Sequence, residues 1–221
     1  MHRVLERLLQ LSKLPLDNFG RWKFANSPTG RGYLEADVTP DPATTKPVIR
    51  VATTQLERPS PPAPMRCVER YAQAEHAVAA LSSAENVVFG GDMCWRDGTD
   101  RPFPLPAGWF DAWPAWQDRH HGTTLSCWTY DALWEEEVVM FNSFAAPYES
   151  MQKRSDRFVC KLKDYSLLGI KMIGDSDRQM VLQYKSLKSR WRNIRRLDSI
   201  PLGSSCHRGL LMTIAPKVPE R

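Results

Sequence analysis

The hydrophobic pattern of the chain consists of short apolar runs bounded by proline, glycine or polar residues, which is typical of buried strands. In the clearest run, Val87, Val88 and Phe89 are β-branched or aromatic residues that favour a sheet interior. Gly90 and Gly91 follow and let the backbone bend where the strand ends. The other predicted strands are Val48–Thr54, Phe158–Leu162, Gly169–Ile173 and Leu210–Ile214, and Trp109–Trp113 is predicted to begin another extended segment.

The segment Met65–Leu81 has a helical period instead. Its apolar side chains recur at helical spacing after the proline cluster Pro59–Pro64, which interrupts the preceding strand. These apolar positions are Val68, Tyr71, Ala72, Val78 and Ala79. The order strand, helix, strand therefore predicts a mixed α/β fold. A long loop is predicted over Pro114–Thr129, and irregular surface insertions over Pro40–Pro47 and Glu135–Gln152.

Composition indicates one globular domain. The chain has 221 residues, of which 42% are hydrophobic and eight are tryptophan, so it is long and apolar enough to bury a core. It contains no apolar run of the length that crosses a membrane, and its first residues are charged and amphipathic. We therefore expect a soluble protein that is not secreted and does not bind a membrane.

The five cysteines include no C-x-x-C pair, so the spacing indicates neither a disulfide framework nor a zinc site. A reducing compartment, the nucleus or the cytosol, is expected. The net charge of +5 indicates a mild preference for binding polyanions. The basic segment, which runs from Lys185 to Arg196 around Trp191, is either a solvated surface or an arm that binds single-stranded DNA.

The candidate catalytic residues lie at the ends of the predicted strands. A hydrolase of phosphodiesters needs a carboxylate that orients a water molecule, and Asp92 follows the clearest strand. In an extended chain Cys94 would face the same side as Asp92, where a carboxamide would hold a phosphate oxygen better than a thiol. Asp156 and His207 stand at the edges of two further predicted strands.

Three segments in the order Asp, Asp, His resemble the endonuclease/exonuclease/phosphatase superfamily, whose members carry G-D-x-N, R-x-D and S-D-H at strand edges. The segments here are Gly91-Asp92-Met93-Cys94, Arg154-Ser155-Asp156 and Ser205-Cys206-His207. Further segments resemble plant tyrosyl-DNA phosphodiesterases of the 5′ type, namely Gly90–Met93, Pro102–Trp113, Trp128–Asp131, Asp156–Leu162 and Gly209–Ile214. The resemblance extends from about Leu8 to Ile214 and implies a four-layer α/β-sandwich.

The chain departs from the family pattern at three polar positions, which carry Gln55, Cys94 and Cys206 instead of histidine, asparagine and aspartate. The family motifs T-W-D-x-N and L-Q-E-x, which supply an asparagine and a metal-binding glutamate, are not found between Met1 and Gln55. We therefore expect a partial domain over residues 1–216 with a tail over 217–221. Such a domain should expose a sheet edge and an apolar face and tend to associate. The oligomeric state is left open. For Leu5–Leu11 a strand is favoured over a helix, because members of the family have a strand near this part of the chain.

The resemblance implies roles for the site residues. Asp92 would orient or deprotonate the attacking water, His207 would bind the phosphate oxygen, and Asp156 would orient the imidazole. Substrate-binding positions would be Gln55, Cys94, Arg96 and Tyr130, and the metal would be Mg²⁺, with Mn²⁺ as an alternative; Cys206 occupies a degenerate metal position. Each residue also has a structural alternative. Asp92 would then cap a turn, His207 would be a solvent-facing loop histidine, and Asp156 would form a local ion pair with its flanking arginines. Arg96 would be an exposed arginine, and Trp128 and Tyr130 would be core aromatics.

The function that the resemblance implies is Mg²⁺-dependent hydrolysis of the phosphodiester between a topoisomerase tyrosine and a single-stranded DNA 5′ end, in nuclear DNA repair. Because several site residues are altered, we expect little or no cleavage. The alternatives are a non-catalytic relative that binds DNA or a protein partner, and the product of a truncated gene. A thiol nucleophile at Cys206 is disfavoured, since adjacent residues of an extended chain point to opposite faces. A Cys94–Cys206 disulfide is disfavoured by a reducing compartment.

Overall fold

The computed structural model describes residues 8–40, 46–58, 66–97, 100–120, 130–131, 152–173, 180–185, 197–202 and 207–218. Within these ranges the helices are α1 (Cys67–Leu81) and α2 (Ala112–His120). The strands are β1 (Leu16–Lys23), β2 (Gly32–Val38), β3 (Ile49–Gln55), β4 (Asn86–Asp92), β5 (Trp109–Asp111), β6 (Tyr130–Asp131), β7 (Gln152–Lys153), β8 (Asp156–Leu162), β9 (Tyr165–Ile173), β10 (Met180–Lys185), β11 (Leu197–Leu202) and β12 (Gly209–Pro216). Neither helix is long and apolar enough to cross a membrane.

The central sheet has six strands in the order β1-β2-β3-β4-β8-β5. Strands β3 and β4 are parallel because α1 connects them, and the other neighbours are antiparallel. The strand, helix and strand predicted from the pattern therefore form β3, α1 and β4. The strand predicted at 158–162 forms β8 beside β4.

Alternation along the strands places one core on each face of this sheet. Phe89 and Val159 face α1 and pack with Leu56, Val78 and Leu81 of the first core. The neighbouring positions on the same strands, including Val88 and Cys160, face the second core. Since successive side chains of a strand point to opposite faces, the run Val87–Phe89 is buried on both sides.

A second sheet covers part of the other face. Strands β9 and β12 pair antiparallel, with Gly209 opposite Ile173 and Pro216 opposite Tyr165. The second core also includes Leu167, Ile170, Met212 and Ile214 from these strands and Ala112, Trp113 and Trp116 from α2. A helix, a six-stranded sheet and a smaller sheet thus form the mixed α/β-sandwich that the sequence predicts.

A groove of about 350 Å³ lies on the part of that face nearest β1. Leu16, Val51, Val88 and Phe158 form its apolar floor and wall, and residues 10–12 border it. Among the described residues, this part of the apolar face is therefore incompletely covered. Association through the open face stays a prediction.

Several element predictions need correction. Residues 8–11 of the segment predicted as strand Leu5–Leu11 form no strand, and the earlier residues lie outside the described ranges. The predicted loop 114–129 contains most of α2, because Trp113 and Trp116 pack against the second core. Strands β1 and β2 were not predicted, since β1 is largely exposed and has only a weak apolar pattern. The insertion predicted at Glu135–Gln152 lies almost wholly outside the described residues.

Candidate functional site

Three strand ends bring the candidate residues together. Gln55 ends β3 opposite Asp92, which ends β4, and Asp92 in turn lies opposite Asp156 at the start of β8. Directly opposite residues point to the same face of a sheet. His207, which precedes β12, reaches this row from the second sheet. Asp92, Asp156 and His207 each offer a ligand atom within 4.8 Å of the others.

Gly91 allows strands β3 and β4 to approach closely just before Asp92. It adopts a φ of 149°, and an added Cβ would lie 2.1 Å from the Thr54 carbonyl oxygen. Only glycine fits this position without displacing β3. The glycine pair predicted to bend the strand end is therefore required by packing, and it holds Asp92 beside Gln55.

The two oxygens of the Asp92 carboxylate have different partners. Oδ1 accepts hydrogen bonds from the Ser155 hydroxyl and, at 2.9 Å, from the Cys94 backbone N–H. Oδ2 lies 3.4 Å from the Gln55 amide nitrogen and 3.4 Å from the Cys94 sulfur. Burial alone would raise the pKa of Asp92, but the His207 charge and the hydrogen bonds from Ser155 and Cys94 outweigh it and lower that pKa. Asp92 is therefore an ionised acceptor at neutral pH.

His207 and Asp156 form a carboxylate–imidazole pair. His207 Nδ1 lies 2.7 Å from Asp156 Oδ2, and Nε2 lies 3.9 Å from Asp92 Oδ2. Because a carboxylate accepts hydrogen bonds, Asp156 favours the proton on Nδ1. Nε2 of His207 then faces Asp92. Nε2 and the Asp92 carboxylate are too far apart to bond directly.

Cys94 reaches the site in a way that the sequence did not predict. The chain is not extended there, because Cys94 has a φ of 50°, in the left-handed region. Its sulfur nevertheless meets Asp92 Oδ2, so both side chains do enter one site. The side chain is only 2% exposed. A thiol is a weaker hydrogen-bond donor than a carboxamide, and the substrate-binding role of this position stays a prediction.

The other predicted positions are only partly tested by the structure. Gln55 lies in the site, and the Arg96 backbone N–H donates to Asp100. Tyr130 lies in β6, but its side chain is not described. Cys206, Trp128 and residues 186–196 of the basic segment lie outside the described residues. The substrate-binding roles of all these residues remain predictions.

Ser155, Arg31 and Glu57 were missed by sequence reasoning. Ser155, between Arg154 and Asp156 in the chain, is fully buried and donates to Asp92, and the central position of the R-x-D segment was the available signal. Buried Glu57 accepts hydrogen bonds from Ser27 and Thr29 of the β1–β2 loop. Burial lowers the pKa of Arg31 in that loop, and the charges of Cys94, Glu57 and Asp92 oppose this shift. The β1–β2 loop thus brings a cation close to the site.

A buried ion pair joins the loop that follows Gln55 to the loop that carries Cys94. Arg70 of α1 contacts both carboxylate oxygens of Asp100, at 2.8 and 2.9 Å. Asp100 also accepts the Arg96 N–H, and Arg70 donates to the Glu57 carbonyl at 2.9 Å. Arg70 therefore connects the loop after β3 to the loop after β4.

The arginines beside Asp156 bind two other carboxylates. Arg154 contacts Asp111 at 2.7 Å and Asp97 at 3.4 Å, and Arg157 contacts the same two carboxylates at 3.1 and 2.6 Å. This cluster fixes the start of β8 against β5 and the loop after β4. The Asp156 carboxylate, in contrast, contacts His207 at 2.7 Å on the site side.

The donor set of Asp92, Asp156 and His207 can hold a divalent metal. Its two carboxylates suit Mg²⁺ or Mn²⁺, whereas its imidazole suits a borderline metal better. Because Nδ1 of His207 and Oδ1 of Asp92 are already hydrogen-bonded, the atoms that face the site are His207 Nε2 and Asp92 Oδ2. The cluster fits a divalent ion, although it is not the all-oxygen set that Mg²⁺ prefers.

Comparison with known proteins relates this geometry to a fold. No protein-family model and no curated protein matches the chain. Among solved structures, the crystal structures of humanized D. rerio TDP2 with 14 mutations and of D. rerio TDP2 complexed with single strand DNA product each match with a TM-score of 0.59 at 20% identity, over 91% of this chain and 68% of theirs. Truncated Caenorhabditis elegans TDP2 matches with a TM-score of 0.57 at 18% identity, over 90% and 66%. The chain therefore shares the fold of these TDP2 structures, and the predicted endonuclease/exonuclease/phosphatase resemblance is confirmed at the level of fold.

Proposed function

We propose that this chain is a metal-dependent phosphodiesterase of low turnover that acts on 5′-tyrosyl ends of single-stranded DNA. The observation that carries the proposal is the arrangement of Asp92, Asp156 and His207 at one edge of the sheet, with His207 oriented by Asp156 at 2.7 Å. The motif resemblance and the similarity to a TDP2 structure complexed with single strand DNA product support this substrate. We also propose a nuclear location, with the cytosol as the alternative, because the cysteine spacing indicates no disulfide framework.

Asp92, His207 and Asp156 have different roles in the proposed hydrolysis. Asp92 Oδ2 accepts a hydrogen bond from the attacking water and orients it toward phosphorus. His207 Nε2, when protonated, donates to a non-bridging phosphate oxygen and stabilises the charge that develops there. Asp156 stabilises the imidazolium and holds its orientation.

A bound divalent ion would be held by Asp92 and the neighbouring carboxylate of Asp156, and we propose Mg²⁺, with Mn²⁺ as the alternative. When bound, the ion neutralises the phosphate and the leaving phenolate. Gln55 supplies a neutral donor beside Asp92, and Cys94 supplies only a weak one. Since loss of one charge-stabilising donor costs about 10²- to 10³-fold in rate, low turnover follows from Cys94.

A second candidate function is binding of DNA without cleavage. The buried Cys94 thiol beside Asp92 Oδ2 favours this alternative, because a thiol binds the reacting phosphate more weakly than a carboxamide does. Retention of the ionised Asp92 and the oriented His207 favours the hydrolase. The two functions differ only in turnover, so one assay separates them.

The test uses a fluorescent single-stranded oligonucleotide with a 5′-phosphotyrosine, incubated with excess protein and millimolar Mg²⁺ or Mn²⁺. We expect slow release of tyrosine that depends on the metal and is lost in Asp92→Asn and His207→Gln. Matched controls are Asp17→Asn and His76→Gln, which change exposed residues outside the site. The controls should retain the parent rate.

The outcomes are distinct. Cleavage that persists in Asp92→Asn would show that a contaminant or another site does the chemistry. Absence of cleavage by the folded parent, with binding measured by fluorescence anisotropy, would establish the non-catalytic alternative. Absence of both would exclude a 5′-tyrosyl end as the ligand.

A further inference from the structure

We propose that the apolar groove on the second face of the central sheet binds the aromatic ring of an aryl phosphodiester, the ring of the tyrosine that leaves on hydrolysis. The groove has a volume of about 350 Å³. Small-molecule pockets have volumes of about 300–1,000 Å³, so one ring fits. Because the ring is joined to a phosphate held beside Asp92, this assignment rests on the proposed function. It specifies which part of the substrate the protein recognises besides the DNA.

The register of three strands places the groove next to the candidate site. The row of residues at the strand ends, Gln55, Asp92 and Asp156, forms the site. The row two residues further into the same strands borders the groove. Its members are Thr53, Gly90 and Phe158. Residues two apart on a strand share a face and are separated by about 6.6 Å, and an ester oxygen with its phenyl ring spans a comparable distance. A ring joined to a phosphate at Asp92 therefore reaches the second row.

Gly90 and Phe158 give the groove an aromatic wall. The two residues lie directly opposite each other, and a Cβ added to Gly90 would lie 2.6 Å from two ring carbons of Phe158. The Phe158 ring thus lies across Gly90, where only a residue without a side chain leaves it room. Phe158 is partly buried and lines the groove, so a second ring can pack against it in the offset or edge-to-face arrangement that aromatic pairs prefer.

The remaining lining suits a phenyl ring better than a nucleobase. Val51 and Val88 contribute apolar surface, and among the described lining residues only Gln10, Ser12 and Thr53 have polar side chains. A nucleobase carries hydrogen-bond donors and acceptors around its edge, and their burial without partners costs free energy. The phenyl ring of a tyrosyl ester carries none, since its oxygen is bonded to phosphorus. The groove therefore fits the leaving group and not the DNA.

The first experiment follows methyl groups of the groove by NMR, with the full chain in EDTA so that no hydrolysis is involved. Phenyl phosphate should shift the methyl resonances of Val51 and Val88, and inorganic phosphate should leave them unchanged. Leu168, which is 54% exposed on β9 and outside the groove, supplies the control resonances, which should not respond. Groove resonances that respond equally to inorganic phosphate, or that do not respond to phenyl phosphate, would overturn the assignment.

The second experiment compares two single-stranded oligonucleotides, one with a 5′-phosphotyrosine and one with a 5′-phosphate, by fluorescence anisotropy in EDTA. Burial of the ring should make the tyrosyl oligonucleotide bind about tenfold more tightly. Thr53→Trp fills the groove and Phe158→Ala removes its wall, and each should reduce this ratio to about one while the affinity for the 5′-phosphate stays unchanged. Phe19→Ala is the matched control, because it removes a phenylalanine of β1 that is 73% exposed, and it should keep the parent ratio.

The two variants perturb the fold in opposite ways, since Thr53→Trp adds a side chain and Phe158→Ala shortens one, and the urea midpoint of each shows whether it is folded. The proposal is wrong if the parent binds both oligonucleotides alike or if both folded variants keep the tenfold preference. It is also wrong if the variants change the oligomeric state in light scattering instead of the preference, since a second copy of the chain would then cover the groove.

The binding results separate this proposal from the proposed hydrolysis. A preference for the tyrosyl end without any cleavage would support the groove and reject hydrolysis. Metal-dependent cleavage at the parent rate by Thr53→Trp would support hydrolysis and reject the groove.

Discussion

Replacement of Asp100 by alanine should strongly destabilise the fold, because it leaves the Arg70 guanidinium buried without its carboxylate. The Arg70 side chain is 0% exposed and that of Asp100 is 3% exposed, and three of their hydrogen bonds lie between 2.8 and 3.2 Å. Removal of one partner of a buried pair costs about 3–5 kcal/mol, since the remaining charge cannot be hydrated. Typical domains have only about 5–15 kcal/mol of stability in total.

Urea denaturation followed by tryptophan fluorescence measures this loss. With a slope of about 2 kcal/mol per molar urea, the midpoint of Asp100→Ala should fall by about 1.5–2.5 M. Asp17→Ala, at an exposed carboxylate of β1, is the matched control and should change the midpoint little. Arg70→Met combined with Asp100→Leu should be less destabilised than Asp100→Ala, because no unpaired charge remains.

The loss should also depend on pH. Burial alone would raise the pKa of Asp100, but the hydrogen bonds from Arg70 and the Arg96 N–H outweigh it and lower that pKa. A carboxyl group whose folded pKa is below its unfolded value stabilises the fold above the unfolded pKa, and this contribution is lost as pH falls through the folded pKa. The difference between parent and Asp100→Ala should therefore be largest near neutral pH and shrink below about pH 4. A midpoint change at pH 7 equivalent to less than about 1 kcal/mol would refute the reasoning, since it would mean that Arg70 is hydrated or re-paired.

Three further predictions concern the site and its surroundings. Gly91→Ala should cost at least about 2 kcal/mol in thermal or urea unfolding, because its Cβ would meet the Thr54 carbonyl oxygen, and an unchanged stability would mean that β3 and β4 can separate there. Ser155→Ala should raise the pKa of Asp92, so that the stability from the ionised carboxylate is lost at a higher pH during acid titration, while Ser155→Thr should retain the parent pH dependence. NMR titration of the carboxyl carbons distinguishes this result from a uniform loss of stability. Neutral replacements in the basic segment should reduce the salt dependence of single-stranded DNA binding. The slope of the logarithm of the binding constant against the logarithm of the salt concentration should fall in magnitude by about 0.7 for each phosphate that is no longer neutralised. A quadruple variant that binds as the parent does would show that the segment is merely solvated. The positions are Arg190, Arg192, Arg195 and Arg196.

Much of the frame could be predicted from the sequence because it depends on local periodicity. The apolar run before Asp92 is buried as its pattern predicts, and a helix forms within Met65–Leu81. The helical spacing named the wrong face of that helix, however, since Val68, Ala72 and Ala79 are exposed and Ala74, Ala77 and Leu81 are buried. The order of the Asp, Asp and His segments also identified the fold, since each stands where a strand begins or ends. Strand β1 was missed because an exposed edge strand needs little apolar alternation.

The tertiary structure alone decided how the site is assembled. Contacts between residues distant in sequence, such as Ser155 with Asp92 and Arg70 with Asp100, arise from strand pairing and packing rather than from any local pattern. The left-handed conformation of Cys94 likewise follows from the turn that the loop makes after β4, and it directs the sulfur to Asp92 Oδ2. The sequence by itself determined which chemical groups stand at the strand ends, because those positions follow from local burial. Which atoms of those groups face one another depends on the register of three strands and on the approach of a second sheet, which only the folded chain specifies.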